Sequence, residues 1–257
     1  MQKHKKYKNI FHWLITIVIA VFFAVILRVF VFALFSIPTP SMEPAILAGD
    51  KVLVIKRLKG YSTIRHNDIL IFYYPYTNWN HLGMDMNVFY AKRCVAIPSD
   101  TFFIENGIYK VKNCNDTLGN YESQRRFFQV EETKMPPEVF RCFPYDSIYD
   151  WNVKNFGPIY IPGKGDTIRM DAKNRLLYRN LIRYETGKKE IPDELQYYIF
   201  QQNYYFMAGD YVFDSKDSRY WGLLPEEHII GKVACVWNSK DLHTGKSHWN
   251  RFLKKVR

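Results

Sequence analysis

An almost uninterrupted apolar run, Ile10 to Leu27, constrains this chain more than any other feature of its sequence. Roughly 18 residues at about 1.5 Å each nearly cross a bilayer core of about 30 Å when helical. The run therefore reads as a membrane span, and its apolar continuation from Val29 to Phe35 extends the expected anchor to residues 10–35. Arg28 interrupts the stretch. At the end of a span its guanidinium reaches the headgroups while its stem stays in lipid, which puts it near the far interface. A cleaved secretory signal is the competing reading. The run exceeds an ordinary signal core, however, and Ser36-Ile37-Pro38 is a poor small-residue cleavage site, which favours an uncleaved anchor. Lys3, Lys5, Lys6 and Lys8 precede the span without an acidic residue, and apart from Arg28 no charge follows until Glu43. The positive-inside rule then puts a basic leader, residues 1–9, in the cytoplasm and everything beyond about residue 30 outside.

The remaining length, with 47% hydrophobic residues over the whole chain of 257, suffices for a sizeable core. A net charge of +11 attracts an anionic surface, either lipid headgroups or nucleic acid. An external soluble part leaves membrane lipid as the expected partner and excludes nucleic acid. Four cysteines suit an oxidising compartment without making a dense framework. Cys114 and Cys142, both in a polar middle segment, form the expected disulfide, whereas Cys94 and Cys235 lie in apolar runs and read as buried thiols.

Beyond the anchor, Lys51 to Lys56, Asp68 to Phe72, Val88 to Ile97 and Tyr211 to Phe213 are short runs of β-branched and aromatic residues separated by turn formers. The soluble part should be mostly β. From residue 113 to 203 charged and aromatic residues mix and prolines punctuate, with one possible helix at Lys173 to Tyr184. This stretch reads as an insertion or cap between two parts of a β core, 36–112 and 204–257. The basic and apolar end, Trp249 to Arg257, fits a docked surface strand, a membrane contact or a solvated tail.

Three segments carry chemistry. Ser36-Ile-Pro-Thr-Pro-Ser-Met-Glu-Pro44 follows the span, and its prolines stiffen an extended loop that can present a hydroxyl at fixed geometry. A serine needs a base to become a nucleophile. None of the seven histidines lies in a Ser-His-Asp-like motif, and each reads as a satisfied surface side chain. Lys92 is the better candidate. Strand alternation puts it on one face with Tyr90, Cys94 and Ala96, and desolvation there favours the neutral amine, a general base. A strand-edge lysine with its amine in water is the plain alternative. The third segment, Met207 to Gly222, sets Asp214, Ser215, Asp217, Ser218 and Arg219 between apolar flanks. That composition suits either a buried polar network or a solvated turn.

Together these segments resemble bacterial type I signal peptidases, the Ser-Lys peptidases of family S26. Pro38-Thr-Pro-Ser-Met-Glu-Pro44 matches the family's nucleophile motif, Lys92-Arg-Cys-Val-Ala-Ile-Pro-Ser-Asp100 matches its base motif in part, and Gly209 to Arg219 matches its third. Tyr211 and Val212 depart from a usual polar pair, and Ala96 and Ser99 stand where glycines are usual.

The resemblance implies a signal-peptidase-like β core preceded by one N-terminal transmembrane helix. It also implies Ser41 as nucleophile and Lys92 as base, with Ser215 hydrogen-bonding the amine and Asp217 with Arg219 bracing the site. The Thr39 hydroxyl and Ser41 amide would form the oxyanion hole. The expected substrates are secretory preproteins with small residues at the first and third positions before the cut, processed near the translocon at a bacterial inner membrane. No metal or organic cofactor is expected, since no Cys/His ligand spacing is evident. Two other readings are another Ser-Lys protease and a membrane-tethered binding module of the same fold without catalysis.

Overall fold

The computed structural model describes the backbone of residues 2–57, 63–78, 81–242 and 244–256, with side chains from residue 12 onward except 76–81. The side chains of Lys3, Lys5, Lys6 and Lys8, on which the expected orientation rests, lie outside the described residues.

Helix α1 (Gln2–Ile26) absorbs the leader and most of the apolar run, and passes into a π-helical turn at Leu27–Val31. Its stretch His12–Val31 is long and apolar enough to cross a membrane and buries nothing against the protein. The span is shorter than 10–35, because Phe32–Ser36 is strand β1. It pairs in antiparallel register with β2 (Asp50–Lys56), from Phe32 opposite Ile55 to Ser36 opposite Lys51. The apolar run could not reveal this change: a strand that covers a sheet edge and a helix in lipid share a composition. The junction is short, and the Lys56 ammonium donates to the Val29 carbonyl at 2.7 Å.

Strands β3 (Ile69–Asn78) and β4 (His81–Ala96) form a long antiparallel pair. The middle of the chain follows with β5 (Thr101–Glu105), β6 (Ile108–Val111), α2 (Tyr121–Phe128), α3 (Pro137–Phe140), β7 (Phe156–Tyr160), β8 (Thr167–Arg169), α4 (Ala172–Thr186) and β9 (Tyr197–Ile199). It closes with β10 (Tyr204–Ala208), α5 (Ser218–Trp221), β11 (Leu224–Pro225) and β12 (Ile229–Ser239). The main sheet has seven strands in the order β1-β2-β12-β3-β4-β10-β11, so the two ends of the soluble part interleave. A three-stranded sheet, β6-β5-β7, and the pair β8-β9 stand beside it.

That second sheet moves the boundary expected at residue 112. β5 and β6 belong with β7, and Phe102, Phe156 and Phe206 stack into one core with Val95 and Tyr178. The expected helix is α4, started by the Asp171 side chain on the Asn174 amide and ended by Gly187 at φ 66°.

Tyr211 to Phe213 is not a strand. A 3-10 turn, Val212–Asp214, follows Tyr211 instead, because the backbone finds side-chain partners: Val212 N–H donates to Ser123 Oγ at 3.0 Å, and Arg219 Nη2 donates to Val212 O at 3.2 Å. The C-terminal segment docks on β12, with Val236 N–H donating to Lys254 O at 2.9 Å. Buried Arg251 locks it by a 2.5 Å ion pair to Asp50.

All four cysteines are free thiols, so the expected Cys114–Cys142 disulfide is not formed. Cys142 is buried in the core, where desolvation pushes its thiol up to about 12, while Cys114 faces His66 and Asp116. Buried Cys94 and Cys235 agree with the sequence reading.

Candidate active site

Ser41 sits in a 3-10 turn, Pro40–Met42, immediately after the edge strand β1. Pro40 occupies the first helical position, where its missing N–H costs nothing, and Met42 is fully buried and anchors the turn in the core. The loop meets the sheet at β4. There Lys92 Nζ lies 2.5 Å from Ser41 Oγ, with Lys92 2% exposed.

β4 is buried on both faces from Ala91 to Ala96, and Lys92 lies within that run. Lys92 stands opposite Leu70 in the β3–β4 register, with Cys94 fully buried on the same face and its amine 5.5 Å from the Tyr90 ring. Desolvation lowers its pKa to about 8 and outweighs the opposing attraction of Asp217. Thr39 Oγ1 also approaches the serine, 3.4 Å from Ser41 Oγ. The Ser41 amide falls in the first turn of its helix, where N–H groups have no partner within the turn.

The third segment wraps behind. Asp217 and Arg219, both 0% exposed, form a bidentate pair at 2.8 and 2.9 Å. Burial raises the Asp217 pKa, but the Arg219 charge and hydrogen bonds, the Gly209 amide and Lys92 overcome it and hold the carboxyl below its usual range. Asp217 Oδ2 accepts from Gly209 N–H at 3.0 Å and Ser218 Oγ accepts from Met207 N–H at 2.9 Å, which ties the loop to β10. Asp214 is exposed and stands outside this network.

Ser215 is placed differently from the sequence expectation. Its hydroxyl makes no hydrogen bond to Lys92 and has no partner among the described residues. It packs against Gly209, where an added Cβ would lie 2.1 Å from Ser215 Oγ and 2.7 Å from the Ser41 carbonyl. The backbone of the nucleophile loop and the Ser215 side chain of the third segment both close on the end of β10 there.

Departures from the motifs have local reasons. Tyr211 acts through its main chain, its N–H donating to Ser41 O at 3.1 Å, so side-chain polarity there is not required for this contact. Ser99 adopts φ 72°, the left-handed region that explains why glycine is usual at this position. Two residues escaped the sequence reading. Arg93, beside the base, pairs with buried Asp210 at 2.6 Å and donates to Asn67 O at 2.8 Å. His228 is fully buried rather than at the surface, and its ring meets the Tyr184 hydroxyl at 3.0 Å. No described histidine bonds to Ser41.

A serine hydroxyl lies against a buried lysine whose pKa is lowered, on a β scaffold behind one apolar helix, an arrangement consistent with a membrane-anchored serine hydrolase. Comparison with known proteins identifies the family. The family described as signal peptidase, peptidase S26, matches residues 10–238, and the chain belongs to it.

The relatives agree. The chain is 28% identical over 242 residues to signal peptidase I of Buchnera aphidicola subsp. Schizaphis graminum, an alignment spanning 85% of this chain and 72% of that protein. It is 25% identical over 237 residues to signal peptidase I of Aquifex aeolicus, spanning 88% and 82% respectively. To signal peptidase I of Pseudomonas aeruginosa it is 26% identical over 243 residues, spanning 85% and 69%.

Proposed function

We propose that this membrane-anchored serine endopeptidase removes N-terminal signal peptides from secretory preproteins, with Ser41 as nucleophile and Lys92 as general base. Membership of peptidase S26 supports the activity, and the 2.5 Å Lys92–Ser41 contact in a desolvated site is the observation that carries the assignment of the dyad.

Neutral Lys92 takes the proton from Ser41 Oγ as the oxygen attacks the scissile carbonyl. The Thr39 hydroxyl and the Ser41 amide receive the negative charge on the tetrahedral intermediate. Lys92 returns its proton to the leaving amine, which departs as the mature N-terminus, and then takes a proton from the water that hydrolyses the acyl-enzyme. Ser215 orients the amine once substrate fills the site; its buried, unpartnered hydroxyl supports that role. Asp217 and Arg219 fix the loop that carries it.

The anchor holds the site at the lipid surface, with the leader in the cytoplasm and the catalytic part outside the inner membrane, where preproteins leave the translocon. Within that arrangement β1 to β4 and β10 to β12 supply the catalytic sheet, and the segment from β5 to β9 caps it.

The test is cleavage of a purified preprotein in detergent by the full chain and by Ser41→Ala and Lys92→Ala. Both variants should still bind preprotein and lose cleavage. Cleavage surviving in either would overturn the dyad, and wild-type binding without cleavage would favour the tethered binding module.

A further inference from the structure

Away from the dyad, the fold brings a distant histidine to a cysteine and an aspartate that share one loop. A ring nitrogen of His66, Cys114 Sγ and a carboxylate oxygen of Asp116 lie within 4.8 Å of one another. His66 sits in the turn before β3, and Cys114 and Asp116 in the loop after β6. We propose that this cluster binds a borderline-soft divalent metal ion such as Zn2+, with the three side chains as ligands and a fourth position open to water or an exogenous group.

The ligand set suits such an ion. Imidazole, thiolate and carboxylate bind Zn2+ at about 2.0 to 2.3 Å, which puts neighbouring ligand atoms of a tetrahedral site about 3.5 Å apart. The three atoms need to close by little more than an ångström. Thiolate and carboxylate together cancel the charge of the ion, and binding releases the thiol proton: Cys–SH and M2+ give Cys–S–M+ and H+.

Other contacts make this a built site. His66 Nε2 meets Asp100 Oδ2 at 2.7 Å. The carboxylate holds the ring and favours the tautomer whose lone pair is on Nδ1, the outer-shell arrangement common to metal-bound histidines. Asp100 is itself held by the Ile97 amide at 2.8 Å. The two loops are joined independently of any ion: Asn67 Nδ2 donates to Thr117 O at 2.8 Å, and Gly119 N–H donates to Asn67 Oδ1 at 2.9 Å. This staple fixes Cys114 and Asp116 opposite His66. It also gives the site a route to the catalytic strand, because the Asn67 carbonyl accepts from Arg93, the residue after Lys92. An ion here would clamp the turn that supports β4 without touching Ser41 or Lys92.

The experiment uses the full chain in detergent, reduced and stripped with a chelator, then titrated with Co2+ and competed with Zn2+. One equivalent should bind with a thiolate-to-cobalt charge-transfer band and the visible spectrum of a four-coordinate ion. Cys114→Ser should abolish the band, His66→Asn should weaken binding at least tenfold, and Cys142→Ser should change neither. On the unmutated chain, Zn2+ should raise the melting temperature and protect Cys114 from alkylation. No cobalt–thiolate band in the wild type, a band that survives Cys114→Ser, or an alkylation rate of Cys114 indifferent to Zn2+ would each overturn the site. Preprotein cleavage after chelation separates this proposal from the dyad, whose chemistry does not depend on it.

Discussion

Lys92 Nζ and Ser41 Oγ, 51 positions apart in sequence, lie 2.5 Å apart in a site where the lysine is almost wholly removed from water. The ammonium loses most of its hydration and regains only part of it from Asp217, so the amine gives up its proton near pH 8. The chemistry proposed for the pair needs the neutral amine. Cleavage should therefore rise with pH through about 8 and level off above it. Initial rates of preprotein cleavage between pH 6 and 10 measure this, and a flat or falling profile over that range contradicts a lysine base.

The same desolvation makes Lys92 a cost to the fold. Its folded pKa lies below the unfolded value of about 10.5, so below pH 8, where both states carry the ammonium, burying the charge lowers stability by on the order of 3 kcal/mol, and folding releases a proton only between about pH 8 and 10.5. That cost fades as pH rises from about 8 towards 10.5. Lys92→Met, inactive, should melt above the wild type at pH 6, with the gap closing in alkaline buffer. Equal melting temperatures at pH 6 would refute the assignment of a buried, strained ammonium.

Asp217 and Arg219 are both fully buried and bidentate. Asp217→Asn leaves the guanidinium charge uncompensated and should cost about 3–5 kcal/mol, whereas Asp217→Leu combined with Arg219→Met should recover much of that loss. Denaturant unfolding of the single and double variants measures the coupling. Simple additivity would mean that the two side chains do not act as a pair.

Gly209 is packed between the Ser41 carbonyl and the Ser215 side chain. Gly209→Ala would set a methyl 2.7 Å from the Ser41 carbonyl and 2.5 Å from Ser215 Cβ, so the loops must move apart. A stability loss of about 1–3 kcal/mol is expected, with a fall in kcat larger than any change in KM. Ser215→Ala should not rescue it, because the backbone contact remains. Wild-type turnover in Gly209→Ala would show that the junction is not tight.

Thr39 tests the oxyanion assignment. Thr39→Val keeps the shape but removes the hydroxyl, and should lower kcat about 100-fold, while Thr39→Ser retains most of it. Kinetics with a peptide substrate distinguish the two, and comparable rates in both variants would remove Thr39 from the mechanism.

Several of these features were legible in the sequence for specific reasons. The apolar run reports the membrane helix because lipid imposes one requirement on every residue of a span. The period of two groups Lys92 with Cys94, although β4 proves buried on both faces there, and the density of Asp, Ser and Arg between aromatic flanks signals the Asp217–Arg219 brace. Local rules failed where partners are distant. Phe32 to Ser36 reads as lipid-facing until β2 is known to lie beside it. Tyr211 to Phe213 has strand composition, yet Ser123 and Arg219 take its backbone hydrogen bonds. Cys114 and Cys142 share a segment, but the fold buries one thiol in the core and turns the other towards His66.

By itself the sequence determined the apolar anchor helix and the mostly β character of the soluble part, and it singled out the side chains proposed to react, because periodicity and motif chemistry are properties of neighbouring residues. Tertiary structure alone decided how those side chains meet. The approach of Ser41 to Lys92, the unpartnered hydroxyl of Ser215 over Gly209 and the grouping of His66 with Cys114 and Asp116 all follow from sheet order and loop packing. Desolvation, which makes a lysine a base, is likewise set by what the rest of the chain excludes from its surroundings.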